Sequence, residues 1–163
     1  MSVQSPEELF VSGLKQTYYT EHKLLDALDE LSETSTEETL KEGFEEHRAE
    51  TENQIDRLEE VFEHLDESPE EMTDPVVDGL LEAHESFMDM DPSEGVMNRH
   101  NIAAGQKTEH YEIAAYDDLI TLAGQLGYDD ARDLLQESLE EERQELETLS
   151  EYGEDFEVEE LEQ

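Results

Sequence analysis

Four long stretches of the chain carry apolar residues at alternating steps of four and three, and each apolar stripe turns polar near its middle. In the first, Phe10, Leu14, Leu24, Leu28 and Leu31 share a helical face with Glu21 set inside it. In the second, Leu40, Phe44, Leu58, Val61 and Leu65 share a face broken by His47, Thr51 and Gln54, with Glu50 beside them. In the third, Ile102, Ile113, Tyr116 and Ile120 flank Gln106 and Glu109, with Glu112 one turn on. In the fourth, Ala131, Leu135, Leu149 and Tyr152 flank Ser138, Glu142 and Glu145. This spacing is the seam of a packed helical bundle.

The punctuation between the stripes sets the topology. Ser5-Pro6-Glu7-Glu8 is a helix start with Ser5 as cap and Glu8 as its reciprocal partner, and the spacing predicts a helix over 6–31. Ser32 to Ser35 forms a short turn, and Ser35 with Glu38 is expected to cap a second helix that runs to Leu65. The segment from Asp66 to Ser93 holds Pro69, Pro75 and Pro92 and encloses a short helix over 76–88, opened by Asp74-Pro75. A third main helix is predicted over 94–126, stopped by Gly127. Asp129 is expected to cap a fourth, running to Tyr152 and ending at Gly153. Two short hairpins joined by one long crossover are the ferritin-like arrangement of a four-helix bundle. The expected fold is therefore all-α, with a short fifth helix in the crossover. Residues 1–153 form the bundle, and residues 154–163 form a loosely ordered acidic tail.

The polar midpoints carry the candidate chemistry. A carboxylate in an apolar seam is costly unless something positive pairs with it. Glu21, Glu50 and Glu109 each lie roughly 15 residues from their helix starts, or about 22 Å at 1.5 Å per residue, and Glu142 is slightly nearer its own. An up-down bundle brings all four into one layer. Carboxylate and imidazole ligands at that height suit iron, with manganese as the alternative, and two metals sharing carboxylates would neutralise the cluster. Glu109 and Glu112 lie three apart on one face, as do Glu142 and Glu145. The usual two-metal element is Glu-x-x-His on two helices. Here the second helix has Glu50-x-x-Asn53 and the fourth has Glu142-x-x-Glu145. His47 precedes Glu50 by three, lies on the seam and is a further candidate ligand. His110 follows Glu109 directly and points about 100° away around the helix. Thr17, Thr51, Gln54, Gln106 and Ser138 are candidate donors that orient the carboxylates, Tyr116 could hydrogen-bond a ligand, and Gly105 could admit a close helix approach.

Composition narrows the partners. Nine Lys and Arg stand against 49 Asp and Glu in 163 residues, a net charge of −40. Such a chain repels the phosphate backbone of nucleic acid and anionic membrane surfaces. Self-repulsion of this size is tolerable where salt screens it, since the Debye length is only about 3 Å at 1 M. The pattern points to a halophilic cell with molar internal salt. The chain has no cysteine, which removes disulfides, thiolate metal sites and a built-in rubredoxin-like electron relay. No stretch is apolar for long enough to span a bilayer, and residues 1–10 lack the basic and apolar regions of a signal peptide. A cytoplasmic protein is expected.

The run Gln106-Lys107-Thr108-Glu109-His110-Tyr111-Glu112-Ile113-Ala114-Ala115-Tyr116, followed by Leu122 to Tyr128, resembles the signature of the YciF-like proteins. So do Tyr19-Thr20-Glu21, His47-x-x-Glu50-Thr51-x-x-Gln54 and Leu139-x-x-Glu142. The resemblance covers nearly the whole chain. It implies a ferritin-like fold, a homodimer, and a ferroxidase or stress-associated role. The helix pattern is similar to that of rubrerythrin, whose third helix also offers Glu-x-x-Glu. That likeness implies Glu21, Glu50, Glu109, Glu112 and Glu142 as ligands, with Asn53 and Glu145 standing where rubrerythrin has histidines. The leading expectation is a di-iron carboxylate protein in stress defence that acts on oxygen or peroxide as a ferroxidase or peroxidase, with an external reductant closing the cycle. The rivals are a non-catalytic dimeric stress protein with a structural metal, and a metal-free bundle whose glutamates are protonated or bridged by water.

Overall fold

The computed structural model describes residues 2–162. Helix α1 spans Pro6–Thr34, α2 Glu38–His64, α3 Pro75–Met88, α4 Glu94–Leu126 and α5 Asp129–Asp155, followed by a short 3-10 helix over Val158–Glu162. No strand occurs among the described residues. The fold is the all-helical, ferritin-like bundle that the stripes predict. None of the described helices is long and apolar enough to cross a membrane.

Pairing across the bundle shows its direction. The start of α1 meets the end of α4, where Gly13 lies against Leu119, and Asn101 at the start of α4 reaches the Leu31 carbonyl and the Ser35 hydroxyl. On the other side, Arg57 toward the end of α2 reaches Ser138 and Glu141 of α5, while Phe44 near the start of α2 and Leu149 near the end of α5 meet over Gly105. Helices α1 and α4 are therefore antiparallel, as are α2 and α5. Helices α2 and α4 run parallel, which is why a crossover must join them. That crossover carries α3 back along the bundle.

Local chemistry explains most boundaries. The Glu8 amide donates to the Ser5 hydroxyl at 3.1 Å, and the Glu8 carboxylate accepts from the Ser5 amide at 3.1 Å, so the expected reciprocal cap forms. Asp74 caps α3 by accepting from the Val76 amide at 3.0 Å. Gly127 ends α4 in the left-handed region at φ 77°, where a side chain would be strained. Three expectations need correcting. Ser35 does not cap α2, because α1 continues to Thr34 and the Ser35 hydroxyl donates back to the Leu31 carbonyl at 2.6 Å. Asp129 is the first residue of α5 rather than its cap, a place taken by Tyr128 without a side-chain bond. Gly153 does not stop α5, which runs on to Asp155. There the glycine serves a close approach, since a Cβ would sit 3.2 Å from Ile102 Cγ2. Beyond Asp155 the chain folds back on the start of α4, where the Glu160 carbonyl lies directly over Gly95.

The apolar interior falls into two cores. One joins Phe10, Leu14, Leu58, Val61, Phe62, Tyr116, Leu119, Ala123, Ala131, Leu135 and Leu139. The other joins Leu24, Leu28, Leu31, Leu40, Phe44, Val77, Ile102 and Leu149. Between them, at mid-height, lies a layer of buried polar side chains.

Candidate metal centre

Each of the four main helices sends an ionisable side chain into that layer. Glu21 comes from α1, His47 from α2, Glu109 and Glu112 from α4, and Glu142 from α5, and none is more than 2% exposed. One ligand atom from each of His47, Glu109, Glu112 and Glu142 can be chosen so that all lie within 4.8 Å of one another. Glu21 abuts the group, with one oxygen accepting from the Tyr116 hydroxyl at 2.7 Å. The 4-3 spacing explains the convergence, since the same faces that bury Leu14 and Leu28, or Ile102 and Tyr116, must bury the residues between them.

The expected residues do not all meet in one place. Glu50 lies away from the four-residue group and is half exposed. It faces His47 from the other side, with its carboxylate 3.8 Å from Nδ1, and forms a second set with His47 and Glu145. His47 therefore stands between a buried cluster and a shallower acidic one. His110 is exposed, as its 100° offset predicts. Gly105 admits a close approach: a Cβ there would lie 2.9 Å from Leu149 Cδ1 and 3.4 Å from Phe44 Cε1.

The charges are arranged in a defined way. Burial disfavours a cationic His47, yet the Glu109 carboxylate, 2.7 Å from Nε2, holds it well above the ordinary histidine range. Burial likewise works against ionised Glu109, but the field of His47 wins and holds it below the usual carboxylate value. The other carboxylates lack such a partner. Burial pushes Glu112 well up, reinforced by Glu142, Glu21 and Glu109. Burial and then Glu109 do the same to Glu142. Burial raises Glu21 to about 7 against the Tyr116 hydrogen bond, which favours its charged form. Burial also raises Glu145 to about 7. One ion pair is thus surrounded by carboxyl groups that hold protons unless another cation replaces them.

The donor set fits such a cation. Buried oxygens of Glu21, Glu109, Glu112 and Glu142 have no hydrogen-bond partner among the described residues. Stranded buried acceptors are expensive, and several converging on one point are the usual mark of a metal. Four carboxylates and an imidazole suit iron or manganese, and two divalent ions would balance the four negative charges.

Most of the expected orienting donors do not reach these carboxylates. Gln54 donates to Glu141 at 3.1 Å, Ser138 accepts from Arg57 at 3.2 Å, the Thr51 hydroxyl returns to the His47 carbonyl at 2.9 Å, and Gln106 reaches Ser150 at 3.5 Å. Thr17 is buried in the interior. Tyr116 takes the orienting role toward Glu21. A second polar hub was not foreseen. Buried Asp74 accepts from Thr20 at 3.1 Å and from the Tyr111 hydroxyl, which ties the start of α3 to α1 and α4. Its visible signal was the Asp-Pro helix start, which announces a cap but not its long-range partners.

Comparison with known proteins agrees with this fold. A family model described as a domain of unknown function, DUF892, matches residues 5–162. Protein YciF of Escherichia coli (strain K12) is 38% identical over 144 residues, which span 88% of this chain and 87% of that protein. The crystal structure of the Escherichia coli stress protein YciF superposes with a TM-score of 0.88 at 36% identity, covering 92% of this chain and 95% of the other. YcfI from Rhodopseudomonas palustris, provisionally described as a structural protein, superposes with a TM-score of 0.90 at 34% identity, covering 91% and 95%. Matching along nearly its whole length, in sequence and in fold, the chain belongs to the YciF-like (DUF892) family.

Proposed function

We propose that the buried layer is a two-metal carboxylate centre, holding iron or alternatively manganese, with ferroxidase or peroxidase activity in stress defence. The observation that carries this reading is the convergence of His47, Glu109, Glu112 and Glu142 within 4.8 Å, with buried oxygens that have no other partner. Glu109, Glu112, Glu142 and Glu21 would hold the metals, and His47 would exchange its ion pair with Glu109 for a place among the ligands. When bound, the pair supplies one-electron chemistry toward oxygen or peroxide, and an external reductant restores it. The chain's own part is to keep four carboxylates dry and close, to hold Glu21 through Tyr116, and to let Glu112 and Glu142 give up their protons as metal enters.

One observation favours a rival. Neither Glu-x-x-His element is intact, since Asn53 and Glu145 occupy the histidine positions. The same donor set would serve a structural metal in a non-catalytic dimeric stress protein. The deciding experiment adds Fe(II) anaerobically to protein in high salt, then oxygen or peroxide. Oxidation faster than in buffer, with stoichiometry matching the sites and abolished by Glu109→Ala, is expected. Metal that raises the melting temperature without speeding oxidation would establish the structural role. Neither effect would leave a metal-free bundle.

A further inference from the structure

A cavity of about 360 Å³ enters the second apolar core from the side and reaches the polar layer. Its outer end lies between α3 and α4, where Ala83, Met90 and Lys107 are exposed. Its walls include the buried Leu28, Phe44 and Leu149, and its lining ends on His47 and Glu109. Interiors are normally packed with few voids larger than a water molecule, so a hollow of this size needs something to hold it open. Helix α3 is the roof, and it is fixed at both ends. The Asp74 hub ties its start to Thr20 and Tyr111. Near its other end, His84 Nδ1 lies 3.0 Å from His100 Nε2, and the Phe87 ring stacks on His100 at 3.7 Å.

The lining also breaks the chain's charge pattern. Of 163 residues, 49 are acidic, yet Glu109 is the one carboxylate among the described residues of the lining, and it lies at the inner end. Burial lowers the pKa of both His84 and His100, and Lys107 is the one charged residue among the described lining residues besides the His47–Glu109 pair. A wall of leucine and phenylalanine favours an apolar occupant, and the absence of a cluster of either charge favours an uncharged one. An apolar cavity of about 150 Å³ takes benzene. This one is more than twice as large and within the usual range for small-molecule sites.

We propose that this cavity binds a neutral, largely apolar organic molecule of about bicyclic-aromatic size, with one end against His47 and Glu109. Its significance as a route to a reaction centre rests on the metal reading above, whereas its occupancy does not.

The chain has no tryptophan, so the fluorescence of 1-naphthol reports binding directly. Expected is saturable binding of one 1-naphthol per chain, with the anionic 1-naphthoate at least tenfold weaker. Ala83→Phe narrows the mouth from an exposed position, and Ala104→Phe fills the hollow from α4. Each should weaken 1-naphthol at least tenfold while metal content stays at the wild-type level. Absent or unsaturable binding to folded protein would overturn the proposal. So would 1-naphthoate binding as tightly as 1-naphthol, or unchanged binding in both variants. Binding that emerges only on dilution, as a second copy leaves the mouth, would show that the occupant is another chain and would overturn it as well. Metal analysis of the same samples separates the two readings: metal retained without 1-naphthol binding defeats the cavity, and 1-naphthol binding without metal defeats the centre.

Discussion

The two apolar cores on either side of the polar layer are built differently. The buried residues of the first come from the four main helices, with Phe10, Val61, Phe62 and Tyr116 fully buried. The second borrows Val77 from α3 and contains the hollow that reaches His47 and Glu109. The layer between them therefore has one sealed side and one side that a small molecule can approach. A buried carboxylate cluster needs dryness to concentrate its field and access to exchange what it holds. This bundle divides those requirements between its two ends.

The largest expected contrast comes from truncating one residue in each core. Phe10→Ala leaves a void among fully buried neighbours and should cost about 3–5 kcal/mol, whereas Leu28→Ala opens onto space that already exists and should cost about 2 kcal/mol. Denaturant unfolding in high salt measures both. Equal costs would mean that the second core collapses in solution and that the hollow does not persist.

What could be read in the sequence was whatever is local. The stripes named the seam residues, and the midpoints named Glu21, His47, Glu50, Glu109, Glu112 and Glu142, of which all but Glu50 are buried in the layer, because a face that buries Leu14 and Leu28 must also bury Glu21. Pro6, Asp74-Pro75 and Gly127 marked helix ends for reasons contained within one turn. What escaped was decided across the fold. Ser35 looked like a cap for α2, but its hydroxyl turns back to Leu31 while Asn98 and Asn101 of α4 hold the turn, with Asn98 donating to Thr36 at 2.8 Å. Gly153 looked like a stop until Ile102 was placed against it. Glu50 was expected in one layer with Glu21, Glu109 and Glu142, but the fold sets it with Glu145 on the other side of His47, which spacing along a single helix does not reveal. The cavity was illegible for a simpler reason: a void is a relation among Leu28, Phe44, Leu149 and α3, and no residue encodes it singly.

The roof of the hollow offers the next largest effect. Asp74→Ala removes the cap on α3 and leaves the buried Thr20 hydroxyl and the half-buried Tyr111 hydroxyl without their acceptor, a loss of about 1–3 kcal/mol. Hydrogen exchange should accelerate over residues 75–88 far more than over the first core. Uniform acceleration through all five helices would show that α3 is integral to the global unfolding unit rather than a separable cover.

Salt should act more evenly. With a net charge of −40, the melting temperature should fall as salt is withdrawn, since the Debye length grows from about 3 Å at 1 M to about 30 Å at 0.01 M. A thermal series across that range checks it, and a flat series would remove the case for adaptation to molar salt. The second core should loosen first, seen as faster exchange in α3 before α1 or α5.

The smallest effect is a pH dependence confined to the hollow end. Burial, then His84 and Lys107, lower His100 to about 4, and burial lowers His84 despite the nearby Glu30 and Glu85. Both groups are more readily protonated in the unfolded chain, where histidine titrates near 6.5. Between that value and about 4 the unfolded state therefore binds more protons. The sign follows: their contribution to stability is complete above about 6.5 and is lost as the pH falls toward the folded value. The same acidification protonates Glu21 and Glu145, which burial raises to about 7, and relieves repulsion among the carboxylates, so the wild-type curve alone mixes two opposing trends. His100→Leu isolates one of them. It keeps an apolar side chain under Phe87, removes a titrating ring and leaves the acidic surface untouched. Melting curves of wild type and variant should run together at pH 7 apart from a constant offset, then diverge below about 6 with the wild type losing relatively more. Exchange in α3 should show the same divergence while exchange in the first core does not. Parallel curves down to pH 4.5 would mean that the histidine pair is already open to solvent and does not help to hold the roof in place.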